Sequence, residues 1–520
     1  MGTVWRIVLE NSVKEARDFI IKNKIILIIT AGCLLRLLCI GRIPGNYNYF
    51  QDEAFSAYEA FSMVNYGMDS HGYHNPVYLE TWGSGMSAVQ CYIQTIFVRV
   101  LGFGPVAIRL PQAILGCLTI VFFYLLVKEV AEERVAFWST LVLAIAPWHI
   151  IMSRWGLDCN YYVGFVTISI YLLITAKNKV WKTILAAIFM GITLYSYASP
   201  WIVMPFLVYG IILILYLKKE MTLKSIIIYT VTLGVVSIPL FLFILVNLGF
   251  IDEIRTNIIS IPRLSFFRSG DAKPSLDNVK RLITYFWNQY DYISYDAALP
   301  YGTYYLFSNV FLVIGLVKEV FRHSKKSFVM WLWFACAMVL GVTVEANFER
   351  TNMLFLPLIF FIGAGISFVI DMFKRYKSVP IIAIGLLYCI NGLIFAKYYF
   401  TEYNEMMERV WPEGVEEAIV FANTYDGTIH IDDIRHPFVL CYSQYPTDKY
   451  VETVVYEDDN AKFLQPVSFE GYDFTDYATK EPVSGDVYIC SVTNEDVVPW
   501  LTENNMSIAQ FGNYYVGVAN

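Results

Sequence analysis

Charged side chains are scarce in this chain. Asp, Glu, Lys and Arg make up 16% of its 520 residues, where soluble domains carry about a quarter. Together with 57% hydrophobic residues and a mean hydropathy of +0.49, that deficit excludes an ordinary water-soluble globule and points to a polytopic membrane protein. Cysteine offers no disulfide framework: Cys33, Cys39, Cys91, Cys117, Cys159, Cys336 and Cys389 lie in or beside apolar runs. Cys441 and Cys490 stand in polar sequence, and spacing leaves open whether they pair. A small-residue cleavage site is missing after Arg6, Lys14, Arg17, Lys22 and Lys24, so the first apolar run is expected to remain as an anchor. Neither an internal repeat nor a low-complexity segment is visible.

Aromatic residues are abundant, at 17% with 38 Tyr and 12 Trp, as suits a chain with much surface at the lipid headgroup level. The net charge of −7 conceals a division. From Tyr398 onward there are 22 Asp and Glu against 5 Lys and Arg, which leaves 23 acids against 33 bases for the rest. An acidic tail and a basic membrane body are expected on opposite sides.

Apolar runs near the ~20 residues needed to cross a bilayer can be oriented by their flanking Lys and Arg. The basic N-terminus is placed inside, with a first span at about 24–41. Basic connectors at 128–134, 177–182, 218–224, 322–326 and 374–377 are placed on the same side. Two apolar runs, 86–101 and 109–127, lie between the first outer loop and Lys128, and two crossings there would break the parity. The first is shorter and contains Gln90, Gln94 and Arg99, with Val89, Ile93, Ile96, Phe97 and Val100 on one side, so it is read as an interfacial helix. The remaining spans fall at about 109–127, 135–152, 160–176, 183–198, 201–217, 225–248, 303–320, 328–344, 351–371 and 379–397. The expected fold is a polytopic α-helical membrane protein with about eleven transmembrane helices over residues 1–398. Outer connectors lie at 41–109, 153–159, 249–302 and 345–350, and a small extracytoplasmic α/β domain fills 399–520. In that tail 412–425 and 436–445 read as helices, and 428–432, 452–456, 487–492 and 514–518 as strands.

The ionisable residues of the hydrophobic part collect on the expected outer side. Asp52 and Glu53 open a short amphipathic helix with Phe55, Tyr58 and Phe61 at helical spacing, closed by Gly67. Asp52 is either an N-cap or a functional carboxylate. Arg36, Asp69, His71, His74, Glu80, Arg109, Arg154, Asp158, Glu345, Glu349 and Arg350 share that side. Arg154 and Asp158 stand four apart and are spaced to pair. The long loop carries Arg255, Arg263, Arg268, Lys273, Lys280 and Arg281, either solvated surface or a site for an anionic, partly apolar ligand such as a lipid phosphate.

The segments PGNYNYFQDEA, YGMDSHGYHNPVYLETWGSG, FGPVAIRLPQAILG, APWHIIMSRWGLDCN, LYSYASPW and ANFERTNMLFLP resemble, in order and placement, the bacterial GT-C glycosyltransferases of the protein O-mannosyltransferase and aminoarabinose transferase type. The resemblance spans roughly residues 20 to 400. It implies a GT-C fold and a membrane enzyme that moves a sugar from a polyprenyl-phosphate carrier to an acceptor on the outer face, with inversion. The implied partners are the lipid-linked sugar, membrane lipids and an extracytoplasmic acceptor, with no nucleic acid. It also implies that Asp52, first of the Asp-Glu pair, is the base, and that Asn347 and Arg350 match a late Asn and Arg of the family, loosely because Glu349 intervenes.

Inverting transfer needs a carboxylate to take the acceptor proton and cations to hold the departing phosphate. Asp52, with Glu53 and Asp158 beside it, suits the first task. Arg350, Arg109, Arg154 and Arg268 are candidates for the second, because guanidinium grips phosphate oxygens in bidentate fashion. Glu53, His71, His74 and Glu80 are of the types that ligate a divalent metal, though histidines in a polar loop are more often simply solvated. Tyr78, Trp82 and Gly85 read as loop packing. The tail has no catalytic motif and reads as acceptor recognition or a spacer. The competing class, a transporter or flippase of lipid-linked sugar, calls for ionisable residues near mid-membrane, whereas these span centres are nearly free of charge. The topology is open to test: a single cysteine at position 131 in a cysteine-free background should stay unlabelled by an impermeant reagent in intact cells, and labelling from outside would overturn the parity.

Overall fold

The computed structural model describes residues 23–80, 85–267, 272–291, 293–322, 327–407, 410–458, 461 and 464–520. Each of the eleven apolar runs falls on a helix. Four helices are long and apolar enough to cross a membrane by length and composition: Pro105–Val130, Leu223–Asn247, Asn352–Met372 and Ser378–Phe400. A fifth candidate is a broken one, Glu133–Ala144 and Pro147–Ser153, which meet at 60°. Pro147 cannot continue the hydrogen-bond ladder of the preceding turn, which frees carbonyls inside an apolar bundle. Arg36, fully buried, donates to two of them, Leu143 O (3.0 Å) and Ala144 O (2.9 Å), and to Gly32 O of its own helix (2.7 Å). This outer-end arginine therefore closes a helix break.

Where lipid removes the difference in apolarity between inside and outside, helices hold one another through close backbone approach. The Ser308–Arg322 and Phe355–Met372 helices do this at Gly315 and Gly365. A Cβ on Gly315 would collide with the carbonyl of Phe361, and one on Gly365 with that of Phe311.

The run read as an interfacial helix forms Ala88–Leu101, too short at 14 residues to span. Its orientation follows its amphipathicity: Gln90, Gln94 and Thr95 are buried, while Ile96 and Val100 are 61% and 77% exposed. Gln94 Nε2 donates to Ile108 O (3.1 Å) and Gln90 Nε2 to Ser56 Oγ (2.9 Å), so the polar stripe pins the outer-loop helix Gln51–Asn65 and the apolar stripe faces out.

Two short ribbons, β1 Tyr78–Leu79 with β2 Met86–Ser87 and β3 Ile254–Arg255 with β4 Ser260–Ile261, shape the outer loops. The tail holds β5 Ile429–Ile431, β6 Val455–Tyr456, β7 Pro466–Phe469, β8 Tyr472–Asp473, β9 Val487–Ser491, β10 Ser507–Phe511 and β11 Tyr514–Val518. They form one sheet in the order β10-β11-β9-β5-β8-β7-β6, with β5 parallel to both β8 and β9. The expected strands and the helices Val415–Ala422 and His436–Ser443 are present. β7, β8 and β10 lacked a period-2 pattern clear enough to be read. Cys441 and Cys490 are buried free thiols in separate apolar clusters.

The tail is not a loosely tethered spacer. Tyr49, Ala57, Tyr58 and Phe61 of the outer loop share a core with Val415, Ile419, Phe438 and Val439 of the tail. Tyr58 Oη donates to Tyr445 O (2.9 Å), and Tyr49 N donates to Tyr442 Oη (3.0 Å).

Candidate active site

The polar stretch after the first helix turns sharply because an acidic side chain is placed to gather its donors. Glu53, at the third position of the Gln51–Asn65 helix, accepts from Phe50 N–H (3.1 Å) and so caps the helix start. Its carboxylate also receives the Arg109 guanidinium in bidentate fashion, Nε to Oε1 at 2.8 Å and Nη2 to Oε2 at 2.7 Å. Gly156 N–H (2.9 Å) and the Trp411 indole (3.3 Å) complete the shell. Arg109 spends its other donors on the carbonyls of Gly41, Pro44 and Asn48. Both side chains are wholly buried.

This geometry corrects several expectations. Glu53 is not available as a catalytic carboxylate, since its oxygens are committed to five structural N–H donors. Arg109 is not available to a phosphate for the same reason. Arg154 is buried, directs Nη1 and Nη2 to the carbonyls of Leu35, Arg36, Cys39 and Ile43, and lies over the Phe400 ring. It does not pair with Asp158. Arg268 lies outside the described residues, as does Trp82. The proposed metal set is not assembled: Glu80 accepts from Ser265 N–H and hydroxyl (3.0 and 2.7 Å), His74 meets Gly67 O, and His71 lies against Ser70. Among the described residues no group of three or more His, Cys, Asp or Glu is placed to hold a metal ion. Tyr78 packs on Phe243 (ring centroids 4.5 Å apart), as the loop-packing reading expects, and also borders the cavity.

Asp52 and Asp158 go elsewhere. They line a cavity of about 1090 Å³, together with Glu345, Glu349, Arg350 and Tyr197. Asp52 is the second residue of its helix, with Phe50 as N-cap, so the capping alternative does not hold. Its place in the first turn sets the helix dipole behind its negative charge. Asp158 opens the Asp158–Ile174 helix and accepts from Ser87 N–H (3.2 Å). Burial, with Asp52 nearby, pushes its carboxyl up to about 7. Burial, then Asp52 and Asp158, push the Glu349 carboxyl upward too. Three carboxyls thus crowd one wet space, and Asp158 and Glu349 hold protons more readily than free acids do.

Arg350 is delivered by a tight turn in which Asn347 Oδ1 accepts its N–H (2.8 Å). Its guanidinium meets Glu345 Oε2 at 3.0 Å and remains 30% exposed, so it keeps donors toward the cavity. The following Asn352 ties this turn to the Asp158 loop, donating to Asn160 Oδ1 and Cys159 O, both at 3.1 Å. Of the other long-loop cations, Arg255 lies over Tyr73, Arg263 pairs with Asp252 and Lys280 with Asp277, while Arg281 meets Glu345, which itself lines the cavity. The tail contributes Asp433 and Arg435 to the lining. Those two were not foreseen, because nothing in their surroundings resembles a motif. Tyr197, in the LYSYASPW turn, was not foreseen as lining.

Residues 87–245 match the family model described as dolichyl-phosphate-mannose-protein mannosyltransferase. The structure is similar to ArnT from Cupriavidus metallidurans bound to undecaprenyl phosphate, at 13% identity over 95% of this chain and 98% of that one, with a TM-score of 0.57. The apo form of the same protein gives 0.58 at the same identity and coverage. The chain has the GT-C fold. An Archaeoglobus fulgidus oligosaccharyltransferase in complex with Zn and sulfate also resembles this GT-C chain, at 13% identity, over 81% of this chain and 61% of that one, with a TM-score of 0.50. A search of curated proteins returns no match. The resemblance read from the outer-loop motifs is thereby borne out.

The buried pair makes a direct prediction. Arg109→Met should leave Glu53 buried without its counter-charge and lower stability by about 3–5 kcal/mol. Thermal unfolding in detergent would show it, and a variant as stable as the parent would refute the assignment.

Proposed function

We propose that this GT-C chain transfers a sugar from a polyprenyl-phosphate carrier to an acceptor on the outer face of the membrane, with inversion. The observation that carries the reading is that one cavity gathers Asp52, Asp158, Glu349 and Arg350 from segments far apart in sequence. The similar Cupriavidus protein is bound to undecaprenyl phosphate, which supports a carrier of that class. Eleven crossings, with the cavity and the tail outside, are the topology this reading uses. Residues 1–398 are the GT-C body and 399–520 an α/β domain that walls the cavity. The ionisable groups of the cavity sit at helix ends and in connectors, the placement of a transferase site rather than a mid-membrane transport path.

In the mechanism Asp52 accepts the acceptor hydroxyl proton as the oxygen attacks the anomeric carbon. The bond from that carbon to the carrier oxygen breaks, and its electron pair leaves with the phosphate. Arg350 holds the phosphate oxygens as their charge rises, and needs no reorganisation at that moment. Asp158 and Glu349, whose carboxyls burial and then neighbouring acids push upward, add hydrogen-bond donors without adding two more negative charges beside the departing phosphate. Within the cavity no metal-ligating cluster stands among the described residues, and the donor set that does stand there suits a phosphate monoester through guanidinium.

Asp52→Asn should fold and insert as the parent does, because the side chain faces the cavity and the amide is isosteric. Its turnover should fall at least about a hundredfold, the scale of a lost general base; turnover near the parent value would sink the assignment. Arg350→Ala removes a charge-assisted contact of about 1.5–3 kcal/mol and should raise the donor KM by tens-fold, with acceptor KM unchanged. Arg350→Lys should recover part of it. A stable Arg350→Ala enzyme with unchanged donor dependence would leave Arg350 only its bond to Glu345.

A further inference from the structure

Four aromatic rings from four separate segments meet at the cavity wall. Phe50, the N-cap of the Asp52 helix, has its ring centroid 4.9 Å from Trp155 at 85°, 4.9 Å from Tyr295 at 55° and 5.7 Å from Trp411 at 49°. Trp155 in turn meets Tyr295 (5.2 Å, 79°) and Trp411 (5.7 Å, 60°). The cluster has a back and a front. Trp155 and Trp411 are 0% and 1% exposed and stand behind the lining, whereas Phe50 and Tyr295 are only partly buried and belong to the cavity wall. The front rings are held from behind: the Trp411 indole is fixed by Glu53, and Tyr403 Oη donates to Tyr295 O (3.2 Å). A rigid base thus keeps two apolar ring surfaces open to a polar space, which is how a site presents a face for a ligand to cover.

The neighbours say which part of a ligand that is. Phe50 stands two residues before Asp52 and Trp155 three before Asp158, and both carboxyls line the same cavity. Burial first, and then the Glu349, Asp296 and Asp52 carboxyls, push the Tyr295 phenol upward, so it stays a neutral hydrogen-bond donor. Among the described residues its hydroxyl meets no partner. A pyranose ring is polar around its rim and apolar on its C–H face. Such a ring packs its face on aromatic carbon while its rim hydroxyls meet donors and acceptors, the combination found here.

We propose that Phe50 and Tyr295 form the platform on which the transferred sugar lies, its C–H face on the rings and its hydroxyls toward the surrounding carboxyls and the Tyr295 phenol. Tyr78, Trp201 and Phe267, also in the wall, belong to a different apolar cluster, built with Leu240 and Phe243 of the Leu223–Asn247 helix rather than with the Asp52 segment. Stacking asks only for a C–H face, so the platform holds pyranoses as a class and leaves discrimination among them to the polar groups.

This assignment rests on reading the cavity as a transferase site for a carrier-linked sugar. Native mass spectrometry of the purified full-length protein with undecaprenyl phosphate, undecaprenyl-phosphate glucose and undecaprenyl-phosphate mannose separates the two. Wild type should bind the sugar-bearing lipids more tightly than the bare carrier. Phe50→Leu and Tyr295→Leu should each weaken the sugar-bearing lipids by about tenfold, the scale of a well-placed aromatic contact, and leave undecaprenyl phosphate unchanged. Tyr295→Phe keeps the ring and should keep most of the gain. If Phe50→Leu does not accumulate folded, Tyr295→Leu against Tyr295→Phe decides. Equal affinity of wild type for bare and sugar-bearing carrier overturns the platform. So do leucine variants that lose both kinds of lipid by the same factor, or neither, since the rings then only hold the four segments together. A wild type that binds no undecaprenyl phosphate refutes the carrier reading itself.

Discussion

The buried Glu53–Arg109 pair is the constraint on which the cavity-bearing half of the molecule depends. Desolvating two charges costs several kcal/mol, repaid only when geometry is good and remaining donors and acceptors are met. Here they are met: three loop carbonyls satisfy Arg109, and Phe50, Gly156 and Trp411 satisfy Glu53. One ion pair thereby fixes the start of the outer-loop helix, the turn before it, the loop that carries Asp158, and the entry of the tail. The side chain adjacent to Glu53 inherits that rigidity. Asp52 is held on the cavity by a neighbour that never touches substrate.

The cavity shows the complementary economy. Its carboxyls outnumber its arginines, and an all-ionised site would repel a phosphate. Burial, and then the acids close by, lets Asp158 and Glu349 carry protons, while the helix terminus under Asp52 favours its charge. Difference in environment, rather than difference in residue type, separates the three carboxyls of one cavity.

Much of the bundle was legible because a bilayer demands apolar runs of a set length, and eleven such runs are helices. Asp52, Asp158 and Arg350, which line the cavity, were legible as candidates because they stand in polar connectors between those runs. Glu53, Arg109 and Arg154 were misread for a shared reason. A guanidinium looks alike in sequence whether it faces a ligand or a cluster of backbone carbonyls, and its choice depends on segments up to 119 residues away, as for Arg154 and Leu35 O. The apolar stripe of the 88–101 helix was visible, but its direction was set by buried amides, Gln90 and Gln94, whose partners lie on other elements. The tail strands that escaped notice, β7, β8 and β10, lack the clean apolar alternation that marks a half-buried strand.

The core shared by the outer-loop helix and the tail ties recognition to folding. Local opening occurs in contiguous cooperative units rather than residue by residue. Tyr58 and Phe61 are buried against Phe438 and Val439, so the loop bearing Asp52 and the last hundred or so residues form one such unit. Synthesis proceeds from the N-terminus, and the first spans are made long before that partner exists. The helix bearing Asp52 therefore remains without its apolar cover until the segment around 415–450 has been made.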